Sequence, residues 1–133
     1  MRTTLLLALL GTAAVVACEK RGQADPRPTV SRALRGVLVY PLSTEVSIAA
    51  GADAGQATLT TPDSLTTVAA WFRQVLKLNG WALQSDLMGR DGTITLYAEQ
   101  DKRPLWITLK ANVGGPGTTY TVIGGIVSGD TVK

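Results

Sequence analysis

Histidine is absent from the 133 residues, and cysteine occurs only once. Without histidine the chain lacks the commonest general base and the commonest nitrogen ligand for zinc. A lone cysteine, Cys18, excludes an intramolecular disulfide and a thiolate metal cluster. Hydrolysis would have to rest on carboxylates or on a Ser–Lys pair. Asp86, Asp91, Glu99 and Asp101 fall near strand ends and turns, where solvated turn carboxylates are expected. Asp91 and Glu99 are the pair a hairpin could bring face to face as an acid/base site. The stretch Gly89-Arg90-Asp91-Gly92 lacks the alternating oxygen ligands of a calcium loop. Gly114-Gly115-Pro116-Gly117 is followed by neither a Lys-Ser/Thr step in register nor a helix, so it is no phosphate cradle. Lys110 and Ser128 show no spacing that would mark a catalytic pair. The expectation is a chain that is not an enzyme and carries no metal and no cofactor.

Acidic residues are also missing from the start: none precedes Glu19. Met1 and Arg2 give a short positive beginning, and residues 5–10 form an apolar run. Small residues close the stretch at Ala17, the pattern of an export signal. Fully helical, residues 3–17 would span about 22 Å, short of the roughly 30 Å hydrocarbon core, and a charged, proline-containing segment follows. A permanent transmembrane helix is the weaker reading, and a conventional signal peptide with a leftover cysteine is the bland one.

Val15-Val16-Ala17-Cys18 resembles the lipobox of bacterial lipoproteins. The resemblance implies cleavage before Cys18, diacylglycerol on its sulfur and commonly an acyl chain on the new amino terminus. It also implies attachment to the cell envelope. With Glu19 rather than Asp after the cysteine, the expected site is the periplasmic side of the outer membrane if the organism has two membranes. Several acyl chains hold a protein firmly where one chain binds only marginally. Residues 1–17 are thus expected as a lipoprotein signal peptide, 18–35 as the lipidated cysteine with a flexible tether, and 36–133 as one small domain.

Charge divides along the same line. Thirteen Lys and Arg stand against ten Asp and Glu in the whole chain. Residues 19–35 hold five basic and two acidic side chains, and residues 36–133 hold seven and eight. The domain is nearly neutral, and the basic surplus sits in the tether with Pro26 and Pro28, so a nucleic-acid partner is not expected. The membrane itself is the expected partner, through lipid on Cys18. Tether contacts with anionic headgroups are a minor alternative to a simply solvated linker.

The domain reads as α+β. An apolar stretch at residues 37–40 stops at Pro41. Residues 44–50 and 56–60 suggest a hairpin around the turn at 51–55. The strongest pattern is a helix over about 62–79: Thr61 as cap, Pro62 at the first position, and Asp63 against the amide end. Leu65, Val68, Ala69, Phe72, Val75, Leu76 and Asn79 then form one stripe, which Gly80 ends. Four strands follow. Ile94, Leu96 and Ala98 face one way while Tyr97 faces the other; Leu105, Ile107 and Leu109 face inward while Trp106 faces out. The expected fold is a single antiparallel sheet of about five to six strands with this amphipathic helix packed on one face.

A second resemblance rests on Tyr40-Pro41, Thr61-Pro62-Asp63-Ser64, Trp71-Phe72, Leu78-Asn79-Gly80-Trp81 and residues 100–105, with the late turn at Gly117-Thr118. Together these look like a group of small uncharacterised bacterial envelope domains often carried by lipoproteins. The chain departs from that pattern at Pro41-Leu42-Ser43, where Pro-Gly-Ala is usual, and at Trp71-Phe72, where Phe-Tyr is common. The resemblance implies fold and location and brings no activity.

Aromatic residues are the remaining functional lead. If the second sheet face is open, Tyr97 and Trp106, with Trp71 at the border of the helix stripe, form a contact surface for an envelope protein, a glycan or a lipid. If the hairpin covers that face, they are core. The expected function is a membrane-anchored envelope lipoprotein with a non-catalytic structural or protein-interaction domain. The alternative is a domain holding a small amphiphile between helix and sheet, which requires a cavity behind Phe72, Leu76 and Leu109.

Overall fold

The structure is a computed structural model in which residues 24–127 are described. Two helices and six strands follow in the order α1 (Arg27–Ala33), β1 (Thr44–Ala50), β2 (Ala54–Thr61), α2 (Leu65–Leu78), β3 (Ala82–Met88), β4 (Ile94–Gln100), β5 (Arg103–Ala111) and β6 (Thr118–Gly125). The strands make one sheet in the spatial order β1-β2-β6-β5-β4-β3, with every neighbouring pair antiparallel. Helix α2 carries the chain from β2 to the far edge, and the meander β3 to β6 brings it back until β6 pairs with β2. This is the expected α+β architecture, with both helices on one face. The edge strands are irregular: register shifts at residues 45–47 in β1 and 83–85 in β3 are the kind of bulge that discourages edge-to-edge pairing.

Alternation decides which face is covered. Leu96, Ile107, Leu109, Tyr120 and Val122 point to the helices together with Ala57 and Leu59, and all are buried in one cluster with Val68, Ala69, Phe72 and Leu76 of α2. At roughly 1.5–3 kcal/mol for each large apolar side chain withdrawn from water, this layer is the main stabilising term. An edge-to-face chain of rings, Tyr40 on Trp71, Trp71 on Phe72 and Phe72 on Tyr120, extends the layer sideways at centroid distances of 5.3, 4.9 and 5.0 Å. The hydroxyl of Tyr120 accepts from the Tyr40 amide and donates to Ser43 Oγ, so residues 40–43 are tied to the core without forming a strand.

Helix α2 starts later than the sequence suggests. Thr61 is paired with Thr118 in the sheet and is buried, which prevents it from capping. The chain must first turn through Pro62 and Asp63. Ser64 then takes the cap, its hydroxyl accepting from the Thr67 amide at 3.3 Å. Asp63 instead accepts a hydrogen bond from the Tyr40 hydroxyl. At the other end Gly80 follows the helix as expected, at a φ of 79°, while Asn79, read as the last residue of the stripe, is the cap after Leu78.

A second difference lies in the expected tether, where residues 27–33 are helical. Pro28 sits in the first turn, where its missing amide costs nothing. A seven-residue helix is marginal in water, so its order comes from docking. Val30 and Ala33 pack on β2 and β6, where Gly55 and Gly124 leave room for backbone. A Cβ on Gly55 would lie 2.7 Å from the Val30 Cα, and one on Gly124 would strike the Ala33 carbonyl oxygen. The Arg103 guanidinium closes the contact by donating to the carbonyls of Ala33 and Arg35 at 3.2 and 3.0 Å.

Candidate functional site

The face turned away from both helices sets a row of threonines beside a row of mixed, partly aromatic side chains. In register across β2, β6, β5 and β4 lie Thr58, Thr121, Thr108 and Thr95, and in the next row Gln56, Ile123, Trp106 and Tyr97. The hairpin of β1 and β2 widens the sheet at its edge and does not fold over this face, so the face is open among the described residues. Trp106 keeps 39% of its surface exposed, whereas its strand neighbours Leu105 and Ile107 keep 1% and 0%.

Tyr97 and Trp106 are directly opposed cross-strand residues with centroids 5.0 Å apart and planes tilted by 31°. The Tyr97 hydroxyl donates to Glu99 Oε1 at 2.6 Å, and this bond to a carboxylate, before any effect of burial, raises its pKa above the ordinary tyrosine value. Beyond the aromatic pair, Thr108, Thr119, Thr121, Lys110, Asn112 and Val113 line a shallow groove of about 360 Å³. Its hydroxyls are partly engaged: Thr119 donates to Asn112 Oδ1 at 2.6 Å, and Thr58 and Thr121 share a hydrogen bond at 3.1 Å. The face therefore offers flat aromatic surface beside a field of short hydroxyls, with single charges at Lys110 and Glu99.

The sequence-derived candidates separate here. Tyr97 and Trp106 come together as expected. Trp71 lies on the helix side of the sheet, half-buried between Tyr40 and Phe72, so it is a packing residue and no part of the open face. Cys18 lies outside the described residues.

The carboxylates do not converge. Asp86 receives two hydrogen bonds from Arg73 of α2, at 2.6 and 3.1 Å. Asp91 accepts from the amide and hydroxyl of Thr93 in the β3–β4 turn, bonds that hold its pKa below the usual carboxylate value. Glu99 stands at the opposite end of β4, opposed to Pro104, so Asp91 and Glu99 do not face each other. No group of three metal-ligating side chains occurs among the described residues, and no helix there is long and apolar enough to cross a membrane.

The space between α2 and the sheet is filled. Phe72, Leu76 and Leu109 keep 0%, 3% and 0% of their surface exposed. Comparison with known proteins bears on this layer directly. A family model described as START domain-like matches residues 42–119, more than half of the chain. The chain belongs to this START domain-like family. The match begins after α1 and runs from β1 to the first residues of β6, so the matched segment contains helix α2 and the Tyr97–Trp106 pair, while Tyr120 and Val122 of the layer beneath α2 lie beyond it. No curated protein matches the chain, and no solved structure does.

Proposed function

We propose that this protein is a lipid-anchored component of a bacterial cell envelope whose START-like domain works by binding and performs no chemistry. The observation that carries the binding surface is the opposed Tyr97–Trp106 pair on a sheet face that neither helix covers. Aromatic surface of this size beside rows of threonine suits a glycan or an extended polypeptide, which would stack on the rings and bond to the hydroxyls. The anchor rests on Val15-Val16-Ala17-Cys18 at the end of an apolar export segment.

Two measurements test the two halves. Intact mass and membrane partition of the chain, expressed in a bacterial host beside Cys18→Ser, should give a mature form beginning at Cys18 with added acyl mass, lost in the variant. A soluble, unmodified chain overturns the anchor. For the surface, a photo-crosslinking side chain at Thr108 should capture an envelope component in intact cells, at lower yield with Trp106→Ala. Capture no greater than from a control at Gln74 on α2 overturns the open face as the contact surface.

Family membership favours a second reading, in which the domain holds a small amphiphile between helix and sheet. With Phe72, Leu76 and Leu109 closed, such a ligand would enter only if α1 or α2 lifted from the sheet. Mass spectrometry of the gently extracted protein distinguishes the readings: a stoichiometric copurifying amphiphile favours this second one.

A further inference from the structure

Three arginines from two parts of the chain meet at one groove. Arg32 of α1, Arg35 just after it and Arg103 at the start of β5 line a depression of about 270 Å³ with Asp101 and the chain from Gly125 to Val127. Arg103 forms its inner wall, lying over the Trp81 ring at 5.5 Å and bonding to the carbonyls of Ala33 and Arg35. Those acceptors are neutral, so its charge is not cancelled. Among the described residues, Arg27 and Arg73 have carboxylates at 2.9 and 2.6 Å, whereas no carboxylate lies within 4.0 Å of Arg32, Arg35 or Arg103. Among the described residues, three guanidinium groups and one carboxylate, Asp101, line the groove, a local positive surplus on a domain that is otherwise close to neutral. Guanidinium forks match phosphate oxygens two at a time.

Position in the chain adds the second argument. Only eight residues separate Cys18 from Arg27, and at about 3.5 Å per residue they reach no more than roughly 30 Å. A lipid on Cys18 would therefore keep α1 close to the bilayer and the groove at a high effective concentration of headgroups.

We propose that this groove is a phosphate-binding site that seats an anionic phospholipid headgroup of the membrane holding the chain, with the α1 end of the domain resting on the surface. The proposal rests on the lipid-anchor reading of Cys18. The domain would then be held at two points, by acyl chains and by headgroup contact, instead of swinging freely on its tether.

Hydrogen exchange on the lipidated protein, reconstituted into vesicles, tests this. Vesicles of phosphatidylcholine alone are compared with vesicles of phosphatidylglycerol and phosphatidylcholine in equal parts. With phosphatidylglycerol, amides of α1 and of Gly125 to Val127 should exchange roughly tenfold more slowly at about 0.1 M salt, an effect that fades at higher salt. Arg32→Gln with Arg35→Gln should remove the slowing, and Arg73→Gln should keep it. Equal exchange in both lipids, or slowing that survives the double substitution, overturns the groove while leaving the anchor intact. Equal slowing by inorganic phosphate in phosphatidylcholine vesicles, against chloride of the same ionic strength, assigns the site to a free anion and overturns the membrane contact. A chain that carries no acyl mass and stays off the vesicles overturns the anchor and this proposal together.

Discussion

The two faces of the sheet are built from the same six strands and have opposite chemistry. Toward the helices, Leu, Ile, Val, Phe and Tyr side chains interdigitate in a layer from which water is excluded. Toward solvent, the same strands show threonine, glutamine, tyrosine and tryptophan. Strand periodicity produces both at once, because each inward residue is followed by an outward one. Stability is thus concentrated on one face, and the other is free to be specialised for contact.

The largest break in that contrast comes from truncating a large ring on each side of the sheet, Phe72 of α2 on the covered side and Trp106 of β5 on the open one. Phe72→Ala should lower unfolding free energy by about 3–5 kcal/mol in urea titration, whereas Trp106→Ala, half-exposed, should cost less than about 1 kcal/mol. Equal losses would mean that the open face is covered. Next in size is Gly124→Ala, whose new Cβ meets the Ala33 carbonyl oxygen. Overpacking of that kind costs about 1–3 kcal/mol, and its signature should be faster amide exchange in α1 with the α2 layer unchanged.

Smaller effects sharpen the picture. The β4–β5 turn places Asp101 and Lys102 at φ of 50° and 63°, where side chains are disfavoured. Lys102→Gly should raise stability by up to about 1 kcal/mol in thermal melts. The Arg73–Asp86 pair, partly exposed on both sides, should contribute about 0.5–1 kcal/mol in a double-mutant cycle.

The last prediction is silent at neutral pH. All three tyrosines titrate above the ordinary value of 10.0: Tyr40 and Tyr97 because each donates to a carboxylate, Tyr120 because it is buried. Their folded pKa values exceed the unfolded ones. The associated stability is therefore complete below pH 10 and is lost as pH rises through the folded values. Ultraviolet titration should show less tyrosinate at pH 10 in the native chain than in the unfolded one, and Tyr40→Phe should reduce the alkaline destabilisation.

Much of the covered face was legible in the sequence. The three-and-four spacing from Leu65 to Leu76 and the alternation through Ile94–Ala98 and Leu105–Leu109 are local, strong and mutually consistent. What escaped was set by distant pairing. Thr61 carries a cap signal, but the β2–β6 ladder claims it and Ser64 takes the role. The short α1 was hidden by Pro26 and Pro28, although Val30, Ala33 and Leu34 already had helical spacing. Alternation put Tyr97 and Trp106 on one face, yet nothing local could say whether the β1–β2 hairpin would cover them or extend the sheet. Trp71 finds its ring partner in Tyr40, far away in the chain, and the arginine groove draws on three segments with no common motif.

The central claim, one face closed by helices and the other kept open for a partner, is tested most directly by hydroxyl-radical footprinting of tryptophan on the purified chain and in intact cells. Trp106 should be labelled strongly in the purified chain and protected in cells, with Trp81 weakly labelled in both. Weak labelling of Trp106 in the purified chain, or equal labelling in the two settings, would contradict it.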